Sequence, residues 1–149
     1  MKLKKKLALI MATAATITSI GGVTAFANNS SDKPWDLYHW SNAISQCSMN
    51  TGIRAKEDDS SAYGRILKGN ERGKSIVYMQ LKDRNGNDLV GGYNRGKILP
   101  AIKFEGNVSR YVPNYAKENG YKDVRMKITQ HALTTGAAGC NGLWSPDSY

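Results

Sequence analysis

The residues able to do chemistry in this chain are few, and most of them are arranged for something simpler. Gly91-Gly92-Tyr93-Asn94-Arg95-Gly96-Lys97 has the Gly-x4-Gly-Lys spacing of a phosphate-binding loop. Ile98 then stands where a magnesium-binding hydroxyl is needed, and no helical pattern follows to aim its amides at phosphate. Gly69-Asn70-Glu71-Arg72-Gly73-Lys74-Ser75 ends in Gly-Lys-Ser, but its first glycine is one residue too close. Both stretches read as glycine-bearing turns with solvated cations. Asp83, Asn85 and Asn87 alternate as calcium-loop ligands do, yet Asp88 replaces the sharp-turn glycine and Asn94 the closing bidentate glutamate. The two histidines, His39 and His131, are far apart in sequence. Asp36 lies close to His39, but no nucleophile elbow accompanies either imidazole. No residue is therefore assigned a catalytic, cofactor-binding or metal-ligating role.

Cys47 and Cys140 are the only cysteines. Neither has a flanking histidine to lower its pKa, so a structural disulfide is expected rather than a reactive thiol, provided the compartment is oxidising. The N-terminus points to such a compartment. Lys2, Lys4, Lys5 and Lys6 precede an uncharged run from Leu7 to Val23, which closes on Ala25-Phe26-Ala27. A basic start, a modest apolar run and a small-x-small site describe a cleaved signal peptide over residues 1–27. The run is rich in Ala, Thr and Gly, too weakly apolar for a retained membrane anchor. A polar leader follows at 28–33, and the domain is expected over 34–149.

Cleavage changes the electrostatics. Four of the 21 basic residues leave with the signal and all 12 acidic ones stay, so the formal charge falls from +9 to +5. The remainder favours anionic surfaces such as wall polymers or lipid headgroups. Nucleic acid is a poor partner, because the chain has no basic block and no aromatic ladder.

The elements that must position these residues read as short strands. Ser75 to Lys82 alternates Val77, Met79 and Leu81 with Ile76, Tyr78 and Gln80. Asp83 to Asp88 is a turn around Asn85-Gly86, with Leu89 and Val90 expected to begin the return arm of a hairpin. Pro100 lacks an amide hydrogen, which makes the strand over Ile98 to Phe104 an edge or a bulged one. Val108 to Val112 is a further strand ended by Pro113, and Pro113 to Gly120 holds one helical turn. Asp123 to His131 sets Val124, Met126 and Ile128 against Arg125, Lys127 and Thr129, a half-buried strand with a basic outer face. Upstream, extended segments are expected over Pro34 to Trp40, Ala43 to Met49 and Ala62 to Lys68. Together these predict an all-β chain: one small antiparallel β-sandwich or barrel-like domain. Trp35, Tyr38, Trp40 and Trp144 are either core residues or solvent-facing platforms for a ligand.

The C-terminal stretch from Val124 onward, ending in Gly142-Leu143-Trp144-Ser145-Pro146-Asp147-Ser148, resembles the closing segment of a family of small exported proteins of unknown function in Gram-positive bacteria. The resemblance implies a signal peptide followed by a β-rich domain, and it carries no catalytic residues. In size and export the chain is also similar to secreted bacteriocins of the β-sandwich type, without a shared residue motif. The expected function is a secreted, non-enzymatic domain that binds at the envelope or beyond it, to a wall polymer, a membrane surface or another protein. The alternatives are an antibacterial effector and a small hydrolase using His39 or His131 as its base.

Overall fold

The computed structural model describes residues 31–41, 45–70, 75–89, 98–133 and 136–148, with the backbone alone at 39–41, 45 and 136–138. Residues 1–30, on which the expected signal peptide and most of the expected polar leader fall, and residues 90–97 lie outside the described residues.

The alternation in the sequence becomes two faces of a strand. In β8 (Asp123–Ala132), Val124, Met126, Ile128, Gln130 and Ala132 are buried, while the intervening residues are half-exposed. In β5 (Ser75–Asp83), Ser75, Val77, Met79 and Leu81 point inward. These two strands pair antiparallel over their whole length, from Ser75↔Ala132 to Asp83↔Val124. β2 (Ser45–Asn50) and β3 (Arg54–Ala55) pair with the other edge of β8, and β6 (Ile102–Phe104) pairs with β5, completing a five-stranded antiparallel sheet. β6 lies at its edge just after Pro100, where a missing amide costs nothing.

The second sheet is four-stranded, in the order β1 (Lys33–Ser41), β9 (Gly136–Ser145), β4 (Ala62–Lys68) and β7 (Ser109–Val112). Its inner face contributes Trp35, Leu37, Ala62, Ile66, Val112, Cys140 and Trp144 to a core shared with Val77, Met79, Met126 and Ile128. The all-β expectation holds in its sandwich form: the sheets stack as two layers and do not close into a barrel.

The structure adds to or departs from the sequence reading at three places. The Asp83 turn forms, with Gly86 at φ 89° and the Asp83 carboxylate accepting from the amides of Asn85 and Asn87 at 2.8 Å each. Among the described residues the return makes a single bridge, Lys82↔Asp88, while β5 pairs with β8 and β6; Val90 lies outside the described residues. Leu89 leaves the ladder to pack on the core. Second, Cys47 and Cys140 are both free thiols in the structure rather than bridged. Third, the Gly- and Ala-rich tail forms β9, an interior strand, which its residue types do not announce. Its glycine at 142 is required by close approach, since a Cβ there would lie 2.0 Å from the Arg65 carbonyl oxygen and 2.6 Å from the Trp35 ring. The segment Pro113 to Gly120 makes the single expected turn, with Asn119 N–H donating to the Tyr115 carbonyl at 3.2 Å and Gly120 at φ 80°.

Candidate functional site

Among the described residues, the outer face of the five-stranded sheet carries a chemically varied concavity. Strand alternation sends Tyr78 and Gln80 of β5 outward beside Lys127, Thr129 and His131 of β8, with Tyr78 opposite Thr129 and Gln80 opposite Lys127. Ala101, just before β6, forms the far wall, and the open cleft measures about 260 Å³. The wall is held by Gln80, whose amide donates to the Leu99 carbonyl at 2.8 Å and to Asp88 Oδ1 at 3.1 Å. Asp88 is in turn paired with Lys82. The Tyr78 and His131 rings meet edge to face, 5.2 Å between centroids at 64°, a favourable aromatic geometry that leaves ring surface facing the cleft.

The cleft therefore offers a lysine ammonium, a hydroxyl, an imidazole and a phenol, with no carboxylate in its lining. That set suits a hydroxyl-bearing ligand with negative charge. It does not assemble a hydroxyl, an imidazole and a carboxylate for nucleophilic catalysis. The two histidines also belong to different sheets, since His39 pairs through its backbone with Ala138 on β9. The side chain of His39 lies outside the described residues.

The four-stranded sheet presents a different surface. Tyr38 is 69% exposed and Tyr111 60%, and Tyr111 stacks at a tilt on Tyr63 with centroids 6.2 Å apart. Pro34, Asp36, Leu67, Asn141 and Leu143 rim an open groove of about 450 Å³ on this sheet. Of the four aromatics singled out in the sequence, Tyr38 is surface-exposed, whereas Trp35 and Trp144 are core residues at 4% and 1% exposure. The Trp35 Nε1–H still finds a partner in the Leu143 carbonyl at 3.3 Å. Trp144 is covered by the Arg54 guanidinium, 5.4 Å from its ring centroid. The Trp40 side chain lies outside the described residues. Sequence reasoning missed Tyr78, Tyr63 and Tyr111; the outward parity of Tyr78 within Ser75 to Lys82 was the available signal.

The nucleotide-loop and calcium-loop resemblances gain no support in the residues described. The Ser75 hydroxyl is buried and donates to the Gly69 carbonyl at 3.1 Å and to Asn70 Oδ1 at 3.2 Å. The Asp83 oxygens are occupied by turn amides and by the Asn87 side chain. The Gly91 to Lys97 stretch lies outside the described residues. Cys140 is buried in the core and Cys47 packs against it from the opposite sheet. Burial, with smaller contributions from Cys47 and Asp36, pushes the Cys140 thiol up to about 12, and burial also raises Cys47. Both thiols are thereby made poor nucleophiles.

Residues 23–148 fit the model of a family described as "Protein of unknown function (DUF2712)". No curated protein and no solved structure shows significant similarity.

Proposed function

The chain belongs to this family of proteins of unknown function, and on that premise we propose that it is an exported, non-enzymatic binding domain acting at the cell envelope or outside the cell. Its ligand is an anionic, hydroxyl-rich wall polymer, bound in the cleft of the five-stranded sheet. The carrying observation is the convergence of Tyr78, Lys127, Thr129 and His131 on one concavity: ring faces for a sugar, an ammonium for an anion and a hydroxyl to orient both. Export rests on the basic start, the apolar run and the Ala25-Phe26-Ala27 site, and cleavage there leaves a chain of net charge +5 suited to anionic polymers.

The test is co-sedimentation of the protein recovered from culture with isolated cell walls, at low and high salt. Binding is expected to weaken with salt, as screening of a single-cation contact requires. Lys127→Ala and Tyr78→Ala should each weaken it by about fivefold or more, while Tyr38→Ala leaves it unchanged. Full retention in Lys127→Ala with loss in Tyr38→Ala moves the contact to the four-stranded sheet. Growth inhibition of neighbouring strains without wall binding replaces the reading by an antibacterial effector.

A further inference from the structure

Lys56 and Asp147 form a dry cluster where the two sheets meet. Lys56 follows β3 of the five-stranded sheet and Asp147 follows β9 of the four-stranded one. Both side chains are wholly buried, and Lys56 Nζ sits 2.5 Å from Asp147 Oδ1. The remaining Nζ hydrogens go to the carbonyls of Asp58 and Ser60, both at 2.7 Å, and Asp58 Oδ1 is 3.3 Å away. The Glu57 amide N–H donates to Asp147 Oδ2 at 3.1 Å. The surroundings are fixed in turn: the Ser60 hydroxyl and amide both donate to Asp58 Oδ1, at 2.5 and 2.9 Å, and the Ser148 amide donates to the Ser60 hydroxyl at 2.9 Å. Burying a full ion pair carries a large desolvation cost, which conversion to a neutral amide removes.

We propose that Lys56 and Asp147 condense within the folded chain into an amide, a covalent cross-link between the two sheets, with Asp58 carrying the proton. Nζ, having given a proton to Asp58, attacks Cγ of Asp147. The Nζ–Cγ bond forms and one Cγ–O bond breaks. The two protons lost as the ammonium becomes an amide N–H leave on that oxygen as water. Ammonium and carboxylate thus give amide and water, and the step needs no oxidant, reductant or cofactor. Oδ2 becomes the amide carbonyl oxygen, and the Glu57 N–H already faces the negative charge that gathers on it in the tetrahedral intermediate. Oδ1 departs. Asp58 is placed for the relay, because its carboxylate accepts from Lys56 Nζ at 3.3 Å while its backbone amide reaches Asp147 Oδ1 at 3.5 Å. Burial works to raise Asp58, but hydrogen bonds from Ser60 and Lys56 hold it below the usual carboxylate range, so it is an available acceptor at neutral pH. Fixing amine and carboxyl in contact removes the entropy cost that makes such a condensation slow between free molecules.

Mass spectrometry of the full chain decides the matter. After complete reduction of the cysteines, the folded protein should be lighter by one water than its sequence and N-terminus require. Proteolysis should yield a branched peptide joining the Lys56 and Asp147 segments. Asp147→Asn condenses with loss of ammonia instead, so it should converge on the same final mass as the wild type. Asp58→Asn keeps both reacting groups and should form the link about a hundredfold more slowly. Intact mass in the folded wild type, with Lys56 and Asp147 recovered in separate peptides, overturns the proposal. So does a water loss confined to the Asp147 peptide, the mark of a backbone succinimide. An unchanged rate in Asp58→Asn overturns the role given to Asp58.

Discussion

β8 and β9 are each ten residues long, each lies in the interior of its sheet, and they are built on opposite principles. β8 fills space: every second side chain is a buried Val, Met, Ile, Gln or Ala, and the pattern declares itself in the sequence. β9 makes space: Gly142 has no side chain because the Trp35 indole and the Arg65 carbonyl already occupy its place. A sheet interior can thus be specified by side chains present or by side chains left out, and only the first is visible as periodicity.

The contrast is broken most severely at Gly142. Gly142→Val places branched carbons into backbone and indole at once, and should cost more than about 4 kcal/mol or prevent folding altogether, read as the denaturant midpoint. A near-neutral result would mean that β9 is packed like β8. Ile128→Ala, at a fully buried position of β8, should cost about 2 to 5 kcal/mol by leaving a cavity, measured by the same unfolding curves. The smallest effect concerns Cys140 on β9, in the reduced protein. Its folded thiol titrates near 12 and its ordinary value is 9.0, so the unfolded chain ionises first. Its contribution is intact below pH 9.0 and is lost as pH rises toward 12, amounting to about 1 kcal/mol near pH 10. Cys140→Ala should abolish that part of the alkaline loss in a pH series of melting curves, and persistence of the full slope would place its origin elsewhere.

The same contrast explains what could be read beforehand. β5 and β8 were legible because one face is apolar and the other is not, and β6 because Pro100 confines its segment to an edge. Asn85-Gly86 specifies the turn and not the partner: beyond the Lys82↔Asp88 bridge, the described partners of β5 are β8 and β6. In the cleft, Lys127 and Thr129 were legible as the outer face of β8. The meeting of Tyr78 with His131 was not, since it depends on the register of two strands about fifty residues apart in the chain. Trp35 and Trp144 left both roles open because an indole suits a platform and a core equally, and the empty place at Gly142 admitted Trp35 to the core.

The seat of β9 between β1 and β4 also sets an order of events in biosynthesis. The earliest strand, β1, reaches its neighbour only through the last, pairing from Lys33↔Trp144 to Ser41↔Gly136. The four-stranded sheet cannot be completed before β9, the last of its strands in chain order, has been made. Contacts of such high sequence separation form slowly. Completion of the four-stranded sheet therefore waits on β9, whereas the five-stranded sheet, whose strands all precede β9, does not.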